Sequence, residues 1–213
     1  MARTLPFLCI AAALAASTCA LADEAEGNNR ASTVVIGSSF VRSIQDTGSY
    51  GNGASIATVT RQANRDWKGQ TVGAWHSTVG PTVLIHPVHG AFHAFVNGDK
   101  PVVTFEPAAS WQWPLKVGKS WTRNVTMTVH ATDQVIPVET QITVEAYEDV
   151  TMPAGTFKAW RVRTVDNLGN EDVQWFSSDL TVFIKQKLTR TDKHAAGPGV
   201  RETELVSQSI RHQ

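Results

Sequence analysis

Cysteine is almost absent from this sequence of 213 residues: Cys9 and Cys19 are the only two, and both lie within residues 1–22. This segment places Arg3 before an apolar run, which ends in small residues at Ala22. A charged start, a short apolar run and an A-x-A ending are the pattern of a secretory signal peptide. Cleavage after Ala22 would leave a chain without cysteine, which excludes disulfides, thiolate metal ligands and cysteine nucleophiles from the mature protein.

Long apolar runs are also missing. After residue 22 no stretch approaches the ~18 consecutive apolar residues that a membrane-spanning helix needs, so we expect no membrane span. One alternative concerns Cys19, because a bacterial lipoprotein signal ends in a cysteine that becomes lipidated. The residues before it, Ala16-Ser17-Thr18, lack the usual leucine and carry threonine where a smaller residue is expected. The sequence therefore favours an exported protein, periplasmic or secreted, over a lipoprotein anchored through Cys19.

Neither sign of charge is in excess. The chain has 19 Lys and Arg against 19 Asp and Glu, and loss of Arg3 with the signal peptide changes this to 18 against 19. A nucleic-acid binder normally carries a basic excess that neutralises phosphates, so we expect no nucleic-acid partner. A modest basic stretch alternates with threonine and aspartate and is typical of a solvated strand face. Its members are Lys185, Lys187, Arg190 and Lys193, with Arg161 and Arg163.

Leucine is scarce, with six after residue 22 against 24 valines and 21 threonines, and this ratio favours sheet over helix. Strict apolar-polar alternation supports strands over residues 121–131, 138–146 and 181–189. In the first of these, Arg123 is the one polar residue on the otherwise apolar face.

Turn residues separate the strands at short intervals, and Asn97-Gly98 is the strongest hairpin signal. We predict an all-β fold, an antiparallel meander of about eleven strands that forms a strongly curved sheet or a barrel-like half-shell. The expected organisation is a signal peptide over residues 1–22, a flexible polar leader over 23–32 and a single β domain over 33–213.

Two motifs carry a resemblance to a known group of proteins. Residues 114–121 read PLKVGKSW, and residues 150–159 read VTMPAGTFKA. The chain resembles an uncharacterised family of exported bacterial proteins with PLxVGxxW and VxxPAGTFxA motifs. This resemblance implies an envelope location and a sheet-rich domain, and it implies no catalytic residues. Gly118 and the Pro153–Gly155 turn are expected to serve the fold, because neither motif has a titratable group suited to chemistry.

Sequence motifs of catalysis are lacking: there is no G-x-S-x-G elbow, HExxH pattern or phosphate-binding glycine loop. The densest set of possible metal ligands is His86, His89 and His93, with His76 upstream, and imidazoles at this spacing could bind copper or zinc. Pro87 and Gly90 break any helix that would align them, so a solvated turn is the competing interpretation. Glu145, Glu148 and Asp149 could form a carboxylate pair, but a solvated strand end explains them better.

Aromatic residues offer a further hypothesis. Trp111 and Trp113 share a face on an extended chain and, with Phe92, Phe95 and Phe105, could line the mouth of a curved sheet for an apolar or carbohydrate ligand. The competing interpretation is that they cap the core.

We predict a non-enzymatic, cofactor-free binding or scaffolding domain for an apolar small molecule or an envelope protein. A His-mediated Cu/Zn protein and a hydrolase with a site assembled from distant residues stay open as alternatives.

Overall fold

The computed structural model describes residues 33–87 and 90–213; the predicted signal peptide, leader and Cys19 fall outside this part. The strands in these residues are numbered in chain order. They are β1 (Ser39–Gly48), β2 (Gly53–Trp67), β3 (Gln70–Ser77), β4 (Thr82–Ile85), β5 (Phe92–Asn97), β6 (Lys100–Ala109), β7 (Ser120–Val129), β8 (Gln134–Met152), β9 (Gly155–Asp166), β10 (Asn170–Ser177), β11 (Val182–Arg190) and β12 (Gly199–Ser209). Within these residues there is no helix of the length and apolarity needed to cross a membrane.

The strands form a closed antiparallel barrel. Each pairs with its neighbour in sequence, and β1 also pairs with β12 over the register from Ser39↔Ser209 to Gly48↔Gly199. The predicted all-β meander is therefore confirmed. There are twelve strands instead of about eleven. The barrel is fully closed, whereas the sequence allowed either a strongly curved sheet or a half-shell. Closure removes the unpaired edges that a sheet of this size would otherwise expose.

Strand register divides the side chains into an interior and an exterior set, because directly opposed residues point to the same face. One continuous row runs from Trp121 on β7 to Asp46 on β1. It passes through Ile142, Thr164, Asp172, Leu188 and Arg201. The predicted alternation explains this row: on β8, Val138, Thr140, Ile142 and Val144 are all buried. Interior residues thus come from strands far apart in sequence.

The turns lie where the sequence predicts them. Asn97 pairs with Lys100, and Gly98 between them has φ 61°, a left-handed conformation that glycine adopts readily. Gly155 has φ 125° and closes the β8–β9 hairpin, which leads to the fully buried Ala159. Gly118 has φ 85° in the segment before β7, and its amide donates to the carbonyl of Val144.

The segment that joins β6 to β7, residues 110–119, packs against the interior row. Leu115 is buried in one core cluster with Trp121, Ile142, Trp160 and Phe176, and Trp111 and Trp113 pack on the same cluster. The Lys119 ammonium fixes the segment by donating to the carbonyls of Gln112 (2.6 Å) and Pro114 (2.9 Å). This segment therefore fills part of the barrel interior.

Core packing on β8 gives a direct test of this architecture. We expect Ile142→Ala to lower the free energy of unfolding by about 2–5 kcal/mol, because the side chain is fully buried and its loss leaves a cavity. Val135→Ala on the same strand should change stability by less than about 0.5 kcal/mol, since Val135 is 65% exposed. Urea unfolding of the two variants measures both values. Equal losses would contradict the assignment of interior and exterior faces.

Candidate functional site

Aromatic rings occupy one part of the barrel interior. Trp111 and Trp113 lie 5.9 Å apart between ring centroids, and Trp111 contacts Phe176 (6.0 Å) and Phe183 (5.4 Å). Phe92 from β5 stacks on Phe183 at 6.4 Å. These five residues, which we call the aromatic cluster, pack as a core and not as an open mouth. The predicted proximity of Trp111, Trp113 and Phe92 is thus seen, with capping of the core as its effect.

The other two predicted aromatic residues lie elsewhere. Phe95 and Phe105 form their own edge-to-face pair with centroids 6.0 Å apart. Phe105 packs on a second core cluster with Val125 and Val138. The rings that do complete the aromatic cluster, Phe176 and Phe183, come from β10 and β11.

A set of polar interior residues lies nearer the end of the barrel that carries the β1–β2 and β9–β10 turns. Asp46 accepts two hydrogen bonds of 2.7 Å from Arg201, in the bidentate geometry that suits a guanidinium. The guanidinium carbons of Arg190 and Arg201 lie 3.9 and 5.0 Å from the ring centroid of Tyr50. Together with Asp172 we call these residues the polar cluster.

Asp172 is the most perturbed acid of the polar cluster. Its Oδ2 accepts hydrogen bonds from Gln174 Nε2 (2.5 Å) and Gln186 Nε2 (2.8 Å), whereas its buried Oδ1 has no hydrogen-bond partner among the described residues. Burial raises the pKa of Asp172 to about 6, and the two amide hydrogen bonds oppose this only in part. Perturbed groups of this kind concentrate at functional sites, although ion-pair networks also produce them.

Three interior arginines, Arg42, Arg123 and Arg190, have no acidic partner among the described residues, and Arg190 Nη1 donates to the Ser49 carbonyl at 3.1 Å. Arg42 on β1 donates from Nη2 to the carbonyl of Phe183 (3.0 Å), across the intervening β12, and its guanidinium lies 4.6 Å from the ring centroid of Phe40. Arg123 on β7 has a buried Nε without a hydrogen-bond partner in the described chain. No carboxylate of the described residues lies within 4.0 Å of any of these three guanidinium groups. Burial lowers the pKa of Arg42 to about 10 and also lowers that of Arg123.

The histidines converge only in part. His86 and His93 have ring centroids 6.4 Å apart, and His76 Nδ1 lies 3.3 Å from Thr82 Oγ1. His89 lies outside the described residues, so its predicted convergence with His86 and His93 stays a prediction. Desolvation lowers the pKa of His93, which favours its neutral form. Within residues 33–87 and 90–213, no group of three or more His, Cys, Asp or Glu could hold a metal ion.

The three predicted carboxylates, Glu145, Glu148 and Asp149, form ion pairs with basic residues on the exterior of the barrel. Arg161 forms ion pairs with Glu145 (3.0 Å) and Glu148 (3.3 Å), and Lys158 lies 3.6 Å from Asp149. Trp175 Nε1 also donates to Glu148 Oε1 at 2.9 Å. These partners explain the acids as a surface network.

The predicted basic strand face divides between the two sides of the barrel wall. Lys185 pairs with Glu204 at 2.7 Å, Lys187 with Glu202 at 3.5 Å and Arg163 with Glu171 at 2.9 Å. Arg190 instead points to the interior and lies over Tyr50. Grouping it with the solvated lysines was therefore wrong. Its position on the same alternate set as Leu188 was the signal that indicated the interior.

Two cavities are lined in part by residues described above. One of about 20 Å³, enough for about one water molecule, is lined by residues that include Arg61, Gly73, Trp75 and His86. The other is an outer groove of about 270 Å³ beside the β9–β10 turn, and its lining includes Val165, Glu171 and Lys193. Neither is lined by Arg42, Arg123 or Arg190, whereas the buried Arg61 lines the first.

The raised pKa of Asp172 predicts a defined pH dependence of stability. Because the folded value of about 6 lies above the ordinary value of 3.8, the folded state binds more protons between these values, and stability falls as pH rises through this window. We expect Asp172→Asn to remove this slope and to raise stability at pH 7 by on the order of 1–3 kcal/mol. Thermal unfolding between pH 4 and 7 measures it.

Asp133→Asn serves as the control, because Asp133 is exposed and lies outside the polar cluster. Asp46→Asn should act in the opposite direction to Asp172→Asn. The Arg201 hydrogen bonds lower the pKa of Asp46, so it stabilises the fold at neutral pH and this contribution is lost as pH falls through the lowered value. A destabilised Asp172→Asn protein at pH 7 would contradict our account of Asp172.

Comparison with known proteins adds structural likenesses only. No protein-family model and no curated protein matches the chain. Among solved structures, it is similar to a predicted lipoprotein from Parabacteroides distasonis, with 10% identity, TM-score 0.47 and coverage of 84% of this chain and 100% of that one. It is similar to a predicted exported protein with a YmcC-like fold from Bacteroides fragilis, with 11% identity, TM-score 0.48 and coverage of 84% and 100%. It is also similar to the hypothetical lipoprotein YmcC from Escherichia coli, with 11% identity, TM-score 0.44 and coverage of 81% and 85%.

Proposed function

We propose that the protein is an exported envelope domain, residues 33–213, that binds a ligand with an apolar body inside the barrel without catalysing a reaction. One observation carries the proposal: apolar side chains on the interior face keep accessible surface. Ile44 and Leu188 are only half-buried although register turns them inward, and neither packs on a core cluster of the described residues. A fully packed interior would bury such residues.

The size of the barrel supports this interpretation. Side chains alone just fill a barrel of about eight strands, and wider barrels leave room for a ligand or a channel. Here twelve strands close, and the aromatic cluster and residues 110–119 pack against the core around Ile142. Leu188 lies directly opposite Asp172 and Arg201, so an occupant beside it would meet both apolar and charged walls. This combination fits a small molecule better than a scaffold that acts only through its outer surface.

Binding of an apolar probe tests the proposal. We expect the purified protein to increase the fluorescence of N-phenyl-1-naphthylamine with saturation, and dodecanol to displace the probe. Leu188→Lys should abolish binding, because it places a cation among the apolar interior side chains. The introduced ammonium lies directly opposite the Asp172 carboxylate, which can pair with it and keep the protein folded. Thr189→Lys, one residue along β11 and on the exterior face, should bind like the wild type. Absence of probe binding by a folded wild-type protein would contradict the proposal.

Export is tested separately through the predicted signal peptide. We expect the mature protein in the periplasmic or extracellular fraction, with Asp23 at its N-terminus. Replacement of Ala20 and Ala22 by Asp should block processing, because the cleavage site needs small residues at both positions. Cys19→Ser should leave processing and location unchanged. A lipidated N-terminus at Cys19, shown by mass spectrometry, would establish the alternative instead.

A further inference from the structure

The cavity of about 20 Å³ lies where separate parts of the chain meet. Its lining includes Val34 from the segment before β1, Arg61 from β2 and Thr181 from the β10–β11 turn. Backbone hydrogen bonds hold the segment before β1 against β2. The Gly37 amide donates to the Arg61 carbonyl (2.8 Å), and the Arg61 amide donates to the Ser38 carbonyl (2.9 Å). The residues around this cavity are therefore brought together by the fold itself.

Arg61 places a positive charge at the cavity wall. The residue is only 4% exposed, and its guanidinium donates to two neutral acceptors, the Gln62 carbonyl and Asn64 Oδ1. No carboxylate in the described residues lies within 4.0 Å of it, whereas Arg201 has Asp46. Burial lowers the pKa of Arg61, and no neighbouring charge opposes this shift. The charge of Arg61 is thus hydrogen-bonded but not neutralised within the described chain, which is costly for a buried cation.

The neighbouring strand leaves room for this guanidinium. A Cβ on Gly73 of β3 would lie 3.0 Å from Arg61 Nη2 and 3.3 Å from the carbonyl oxygen of Ile85. Both Gly73 and Ile85 also line the cavity. The guanidinium is therefore positioned from two sides, by its acceptors on β2 and by the bare backbone of β3.

The rest of the lining suits an anion. Its described residues include no Asp or Glu, while the hydroxyls of Thr33 and Thr181 and the imidazole of His86 are groups that can donate a hydrogen bond. The volume admits about one particle of the size of a water molecule. Phosphate, sulfate and organic acids are too large for this space, whereas a halide ion is only slightly larger than water.

We propose that this cavity is a halide site, in which Arg61 binds a chloride ion and the ion stabilises the contact between the segment before β1 and the barrel wall. A chloride ion supplies the countercharge that Arg61 lacks in the described residues, and a guanidinium offers it several N–H donors. The site goes beyond the function proposed above, because it does not involve the apolar interior beside Leu188.

Thermal unfolding in two sodium salts tests the site. Chloride replaces gluconate at constant ionic strength, so that general screening of charges stays the same. We expect the melting temperature of the wild-type protein to rise with chloride and to saturate. The rise should be about 3–6 °C once chloride reaches about ten times its dissociation constant. Bromide should have the same effect, and anomalous diffraction from a crystal grown in bromide should place the ion in contact with the Arg61 guanidinium.

Variants assign the effect to Arg61. Arg61→Met should remove the rise with chloride, because methionine keeps an apolar stem and removes the charge. Gly73→Ala should weaken it, because the added methyl group displaces the guanidinium. Arg65→Met is the matched control on the same strand and should keep the rise in full, since Arg65 lies outside the cavity and beside Asp99 (3.6 Å). If Arg61→Met does not fold, Gly73→Ala and the bromide position in the wild type carry the test.

Three outcomes would overturn the proposal. The first is an equal melting temperature of the wild type in chloride and gluconate. The second is a bromide crystal without an anomalous peak beside Arg61, which would show that the cavity holds only water. The third is an Arg61→Met protein that is destabilised but still gains the full rise with chloride, which would make Arg61 a structural residue only. None of these outcomes affects the binding of the apolar probe, so the two proposals fail separately.

Discussion

The pairing of β1 with β12 is the interaction on which the rest of the structure depends. It joins the two ends of the meander and gives each strand an inside and an outside. The pairing ends at Gly48↔Gly199, where a Cβ on Gly199 would lie 2.6 Å from the amide nitrogen of Ser49. Ser49 in turn binds Arg190 through its carbonyl at 3.1 Å. Closure therefore also positions Tyr50 and the polar cluster beside it.

Because the barrel is closed, charged residues of the same type contribute differently to stability on its two faces. On the exterior, ion pairs such as Lys187–Glu202, with side chains 50% and 53% exposed, contribute little because water screens them. On the interior, Asp172 and Arg123 are shielded from water, and a missing partner costs far more there. The charges with the largest effect on stability are therefore inside, although most charged residues are outside.

The sequence was sufficient for the fold class and for several local features. The excess of Val and Thr over Leu indicated sheet, alternation located β7 and the first half of β8, and Asn97-Gly98 located a hairpin. Alternation failed beyond Val144, because a β-bulge shifts the register there and no local residue pattern announces it. Closure itself depends on residues such as Phe40 and Gln208, which lie far apart in sequence and meet only through all the intervening pairings.

The charged interior residues were harder to predict from the sequence for the same reason. Arg123 was visible as a polar exception on an apolar face, but Arg42 belongs to a strand whose alternation is weak, and Asp172 lies among other polar residues. Only the register brings Asp172, Arg201 and Asp46 into one row. Local pattern can show that a residue is unusual for its strand, whereas its partner, or the lack of one, is a property of the closed barrel.

The interior arginines are difficult to explain by stability alone. Enclosing a cation without a countercharge costs several kcal/mol, whereas a hydrogen bond to a charged group contributes only about 1.5–3 kcal/mol. Arg42 gains the carbonyl of Phe183 and the ring of Phe40, and Arg123 lacks even a partner for its Nε in the described residues. An apolar residue of similar volume would fit the fold better at either position. The rest of the fold therefore offsets what these two arginines cost in stability.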